Sequence, residues 1–158
     1  MACEAVWLAA TAGVRVAVAE SLTGGALASA IVGVPGASAV FVGGVVAYDT
    51  EVKQQLLGVD GDLLAEGGPV QAEVARQMAC DVRAALGVAA DIGLATTGVA
   101  GPDPDLQTGQ LPGTVFVGLV SSVSSRAVRL PVLAGDRAFI RAAAVNAALR
   151  LLIAEFAV

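Results

Sequence analysis

The chain contains no histidine, and only one of its nine basic residues is a lysine. Without imidazole, every Ser-His or Cys-His relay is excluded, and the commonest protein ligand of zinc, copper and non-haem iron is missing. Aromatic residues make up 4% of the 158 positions, so any core must be aliphatic. The arginines are scattered and the formal net charge is −5, which speaks against a nucleic-acid-binding face. That total leaves room for a small anion, because one well-placed guanidinium can hold a phosphate. Cys3 and Cys80 lack metal-type spacing and read as reduced, small apolar residues.

A membrane span and a leader are also missing from the pattern. The opening MACEAVWLAATAG carries an early acid and no basic n-region, so it does not read as a signal peptide. Residues 22–48 are uncharged over 27 positions, but six glycines and Pro35 break the run into helix, turn and strand. A soluble, cytoplasmic protein with no membrane partner is the expectation, and the 56% hydrophobic content predicts a homo-oligomer.

What is present alternates strands and helices within one domain spanning 1–158. A helix is predicted over 2–12, ended by Gly13, then a β-branched strand VRVAVAE over 14–20. SLTGGALASAIVG reads as a tight turn into a helix ending at Gly33. The apolar run 40–48 predicts a strand covered on both faces. A short helical segment over 50–57, a helix over 71–87 and a strand over 91–98 follow. The loop 98–113 holds three prolines and four glycines. TVFVGLVSS and SRAVRLPVL predict an antiparallel pair, and Asp136 is placed to cap a last helix running to about 156. This order implies a three-layer α/β/α sandwich around a mixed sheet of about five strands.

In such folds ligands gather beyond the carboxyl ends of the parallel strands. The polar residues expected there are Glu20, Ser21, Thr23, Gly24 and Gly25 after the first strand, and Tyr48, Asp49 and Lys53 after the second. Thr96, Thr97, Gly98, Gly101 and Asp103 follow the third. Ser21 falls where a helix is expected to begin, so unpaired N–H groups there could receive an oxyanion. The plainer alternative makes Ser21 or Thr23 a helix cap and Glu20 a solvated acid.

The single lysine bears on that choice. An amine loses its proton when desolvated and a guanidinium does not, so Lys53 beside Ser21 could act as a general base. A lone lysine also arises incidentally in an Arg-biased composition. Tyr48 could orient the amine, stack on a substrate ring or simply edge the sheet. In GDRAFIR, Arg137 sits in the first turn of a helix, where the dipole disfavours a cation unless an anion or a carboxylate joins it. Arg141 lies one turn on and could share that anion. Asp103 and Asp105 lack a third carboxylate or any histidine in reach, so neither a metal site nor a cofactor is expected.

The motifs AESLTGG, VPGASAVFVGGVVAYDTEVKQQLLGV, TTGVAGPD, PGTVFVG and GDRAFIR occur in this order. Together they resemble the CinA C-terminal domain family, the nicotinamide-nucleotide amidohydrolases, over about 14–152. The resemblance implies hydrolysis of the carboxamide of nicotinamide mononucleotide to nicotinate mononucleotide and ammonia, a step of pyridine nucleotide salvage. It implies Ser21 as nucleophile, Lys53 as general base and Tyr48 as an assisting residue. Thr97 and Arg137 would bind substrate, with N–H groups near Thr23, Gly24 and Gly25 stabilising the oxyanion. The chain departs from the family pattern in Leu22, where a cysteine is usual, in Gln71, where a serine is usual, and in GPDPDLQTGQLPG, where Pro104 replaces a glycine. A lysine usual before the PVGT-like segment has no counterpart. A non-catalytic nucleotide-binding module and a competence- or damage-associated interaction protein are the alternatives.

Overall fold

The computed structural model describes residues 1–157. Strands β1 (Val16–Glu20), β2 (Phe41–Val46), β3 (Ile92–Gly98), β4 (Val115–Val120) and β5 (Ser125–Arg129) form one sheet in the order β2-β1-β3-β4-β5. β2, β1 and β3 run parallel, while β4 and β5 continue antiparallel. Helices α1 (Ala2–Ala12), α2 (Ala26–Val32) and α6 (Arg137–Glu155) cover one face. Helices α3 (Thr50–Leu57), α4 (Gly61–Gly67) and α5 (Ala72–Ala85) cover the other. The three-layer α/β arrangement with a mixed five-stranded sheet agrees with the expectation from sequence.

The two layers are packed from different side chains. β1 alternates Val16 and Val18 toward α1, α2 and α6 with Ala17 and Ala19 toward α5. On the α1/α2/α6 face, Leu27, Leu94, Leu119, Ile140 and Leu152 are buried, each contributing about 1.5–3 kcal/mol. On the α5 face the sheet is built of small residues. A Cβ on Gly93 would overlap the carbonyl oxygen of Ala79, and one on Gly118 that of Ala75. Glycine at these two positions lets α5 lie directly on the backbone of β3 and β4.

Two expectations need correction. The apolar run at 40–48 is not covered on both faces: β2 is an edge strand, half-buried over Phe41–Gly43 and exposed at Gly44 and Val46. Its apolar look comes partly from Gly43 and Gly44, which have no side chain to cover. A Cβ at Gly44 would meet Val18 Cγ2 at 2.6 Å, so this edge presses closely on β1. The segment after Gly58 also contains a helix, α4, that periodicity did not reveal. Its start is fixed by Asp60, whose Oδ1 accepts from Asp62 N and Leu63 N. Among the described residues, no helix is long and apolar enough to cross a membrane.

Candidate functional site

Because β2, β1 and β3 are adjacent and parallel, their carboxyl ends bring three segments together: the turn after Glu20, the turn after Val46 and the loop after Gly98. A cavity of about 270 Å³ opens between them. Ser21, Tyr48, Lys53, Gly101, Asp103 and Arg137 line it, together with Leu22, Thr50, Pro69, Val70 and Asp105.

Ser21 sits on a turn braced from several sides. Its N–H donates to Thr96 O at 2.9 Å, and its carbonyl accepts from Gly24 N at 3.1 Å. Gly24 (φ 57°) and Gly25 (φ 94°) carry the chain through left-handed backbone, which a residue with a side chain rarely adopts. α2 begins only at Ala26, so Ser21 is not its first residue. Glu20 is a buried structural group, not a solvated acid. Its carboxylate, 1% exposed, accepts from Gly25 N, Leu27 N and Ala28 N at 3.0, 3.0 and 2.7 Å. The anion that the start of α2 attracts is therefore supplied by the chain itself.

This arrangement changes the oxyanion expectation. The N–H groups of Gly24 and Gly25 are committed to Ser21 O and Glu20, and neither glycine lines the cavity. Thr23 is fully buried, with its hydroxyl 2.7 Å from that of Thr96. Among the described residues, Leu22 N and Thr23 N take no hydrogen-bond acceptor. Of these two residues Leu22 lines the cavity and Thr23 does not, so Leu22 N is the free N–H group of this turn that borders an incoming oxygen.

Arg141 does not reach the cavity either. Its Nε donates to Leu22 O at 3.0 Å and its Nη2 to Thr23 O at 2.8 Å, so it clamps the turn from the α6 side. Thr97, expected to touch substrate, instead donates from Oγ1 to Pro69 O at 2.7 Å, fixing the segment that forms one cavity wall.

Lys53 is 1% exposed, among the largest fully buried side chains. Its Nζ donates to Ala47 O at 2.8 Å, Tyr48 O at 3.1 Å and Asp49 O at 3.5 Å. Burial lowers its pKa from 10.5 to about 8, against the opposing pull of the Asp49 carboxylate. The three contacts are unequal, and the third lies at the edge of hydrogen-bonding range. A neutral amine has two donors and a lone pair, enough for the two shorter contacts with the lone pair left free. Ser21 Oγ makes no hydrogen bond among the described residues, so both side chains line the cavity with no hydrogen bond between them.

Tyr48 contributes in an unexpected way. Its main-chain carbonyl holds Lys53, while its ring is 60% exposed and its hydroxyl accepts from Arg137 Nη2 at 2.9 Å. Arg137 also donates from Nη1 to Gly101 O at 2.9 Å. Among the described residues, no carboxylate pairs with it. Its guanidinium reaches these two acceptors at the lining of the cavity. Asp136 caps α6 as expected, accepting from Phe139 N at 2.8 Å.

The matches with known proteins are consistent in kind. The model of the CinA C-terminal domain family matches residues 1–156. A CinA-like protein of Frankia casuarinae is 53% identical over 137 residues, covering 85% of this chain and 30% of the relative. A putative competence-damage inducible protein of Desulforamulus reducens is 46% identical over 142 residues, covering 89% and 33%. The chain thus spans about a third of the length of the curated relatives it matches. Among solved structures, the competence damage-inducible protein A of Klebsiella pneumoniae superposes with a TM-score of 0.92 at 31% identity, covering 99% of this chain and 94% of that one. The competence/damage inducible protein of Agrobacterium tumefaciens gives 0.89 at 31% identity, with 97% and 92% covered. On its sequence and its fold alike, the chain belongs to the CinA C-terminal domain family.

Proposed function

We propose that the cavity hydrolyses the carboxamide of nicotinamide mononucleotide, with Ser21 as nucleophile and Lys53 as its base. The observation that carries this reading is a buried amine with its pKa lowered to about 8, opening on the same cavity as a serine hydroxyl that has no other partner among the described residues. A general base works best when its pKa lies near the working pH. Neutral Lys53 takes the Ser21 proton as Oγ bonds to the carboxamide carbon. The oxygen that gains charge is received by Leu22 N, an interaction of the kind worth roughly 3–4 kcal/mol per donor. Lys53 then returns the proton to the nitrogen as the C–N bond breaks and ammonia leaves. Water, activated by the same amine, cleaves the acyl-serine to give the carboxylate and restore Ser21.

Arg137, exposed at the mouth and already holding two acceptors, supplies the cation for the 5′-phosphate. The cavity is small, so the reacting ring and part of its sugar fill it while the phosphate stays at the rim. The test is ammonia release from nicotinamide mononucleotide by the wild type, Ser21→Ala and Lys53→Arg. Both variants are expected to lose activity by about 10⁴-fold or more, as happens when the members of a catalytic unit are removed. Lys53→Arg keeps the charge but cannot give up a proton, so an active Lys53→Arg protein would sink the general-base assignment.

A second reading has one observation in its favour: every short contact of Lys53 Nζ is to a carbonyl and none is to Ser21 Oγ. A binding module would keep this arrangement unchanged. Tight binding of the mononucleotide without ammonia release would establish it.

A further inference from the structure

The loop 98–113 forms a wall of the cavity through Gly101, Asp103 and Asp105. It is also tightly built. Asp105 N donates to Gln110 O at 2.9 Å, and Gly109 N donates to Asp105 O at 2.8 Å, closing the loop on itself. Gln107 Nε2 donates to Leu64 O and Ala65 O, both at 3.0 Å, and Gln110 Nε2 to Val70 O at 3.0 Å. These bonds fasten the loop to α4 and to the Pro69–Val70 wall of the same cavity. Asp105 is held within this frame: its Oδ1 accepts from Thr108 N at 2.8 Å and Thr108 Oγ1 at 2.7 Å. Among the described residues, Oδ2 takes no donor. A carboxylate fixed by one oxygen, with the other unengaged, borders a cavity that a ligand must enter.

We propose that Asp105 is a specificity-determining residue that selects a cationic pyridinium ring over a neutral ring of the same shape. The proposal rests on the amidohydrolase reading of the cavity and deepens it. Above pH 8, where Lys53 is neutral, the charged side chains lining the cavity are Asp103, Asp105 and Arg137, an excess of one negative charge, and the binding comparison below is made at pH 9. The guanidinium at the mouth answers a phosphate, leaving the carboxylates to answer the ring. At roughly 6 Å and an effective dielectric of about 20–80, one fixed charge changes the binding of a unit charge about three- to hundredfold. Burial on the loop side favours the middle of that range.

Asp105→Asn tests the charge alone, because the amide oxygen can still accept from Thr108 and keep the loop closed. In a Ser21→Ala background, which prevents turnover, affinities are measured by calorimetry for nicotinamide mononucleotide and for its 1,4-dihydro form, whose ring is neutral. The expected result is about a tenfold loss of affinity for the pyridinium form, with the dihydro form changed by less than about twofold. Equal losses for both forms, or no loss for either, would overturn the proposal while leaving the reading of the site in place. If the Ser21→Ala protein with Asp105 intact binds neither nucleotide, the reading itself falls and Asp105 with it. Asp105→Ala, which also releases Thr108, should weaken both forms.

Discussion

The two strand ends on either side of Ser21 bury one ionisable side chain each, and they do it in mirror image. Glu20 ends β1 and collects three backbone N–H groups, while Lys53, just past the end of β2, gives its protons to three backbone carbonyls. Each is 1% exposed. The carboxylate faces the start of α2 and does not line the cavity; the amine does. The acid is a structural anchor for the turn that carries Ser21, and its three contacts are of similar length. The amine has one contact at the limit of hydrogen-bonding range, and burial lowers its pKa to about 8. Two buried ionisable groups with equal exposure therefore differ in their backbone partners and in whether they border the cavity.

The contrast can be broken most directly through the stability of Lys53 variants. The folded-state pKa lies below the unfolded value, so the unfolded chain binds more protons between pH 8 and 10.5. The wild type therefore gains stability as pH rises through that window and bears the full cost of the buried ammonium below it. Relative to Lys53→Met, which does not titrate, the wild type should gain about 3 kcal/mol between pH 7 and 10.5 in urea unfolding. A pH-independent difference would show that Lys53 titrates alike in both states.

Activity should follow the same group with slightly smaller consequence. Below its pKa of about 8, Lys53 holds a proton and cannot accept one, so kcat/KM for ammonia release should fall about tenfold per unit. At pH 6 the rate should stand about 100-fold below its alkaline plateau. A flat profile from pH 6 to 9 would remove Lys53 from the proton transfer.

Glu20 should behave oppositely. Glu20→Gln keeps one acceptor and puts an NH₂ donor among N–H groups, so it should destabilise the fold by about 2 kcal/mol, measured by the denaturation midpoint. Because the turn that carries Leu22 N and Thr23 N is anchored there, activity should fall too, with no change in the pH profile. A neutral effect would mean that the start of α2 does not depend on that carboxylate. The smallest effect belongs to Tyr48. Its carbonyl, not its phenol, holds Lys53, so Tyr48→Phe should leave kcat within about threefold and raise KM modestly through the lost contact to Arg137.

Much of this was legible without coordinates. Alternating strands and helices gave the layer order, and Gly13 and Asp136 marked helix ends correctly because caps are local chemistry. The cavity residues Ser21, Tyr48, Lys53 and Arg137 were also on the candidate list. Arg141, Thr97, Gly24 and Gly25 were on it too, and the structure puts them behind the cavity wall instead of on its surface. Sequence position gives the end of the strand at which a residue lies. It does not give the direction in which its polar atoms are spent. The one-residue difference between Thr96 and Thr97, bonded to Thr23 and Pro69 respectively, follows from strand alternation once β3 is placed. α4 escaped because seven residues carry too little periodicity, though Asp60 was a cap signal available to be read.

The sequence by itself determined the chemistry on offer: no imidazole, one amine, a serine in a glycine-bearing turn and an arginine at the first turn of a helix. Those are properties of composition and spacing, which survive in any conformation. Only the tertiary structure decided which charges are desolvated. Burial lowered the pKa of the Lys53 amine to about 8, and the start of α2 took the Glu20 carboxylate as its anchor. The reason is that desolvation and the supply of backbone partners depend on segments brought together from across the chain, and no local pattern records them.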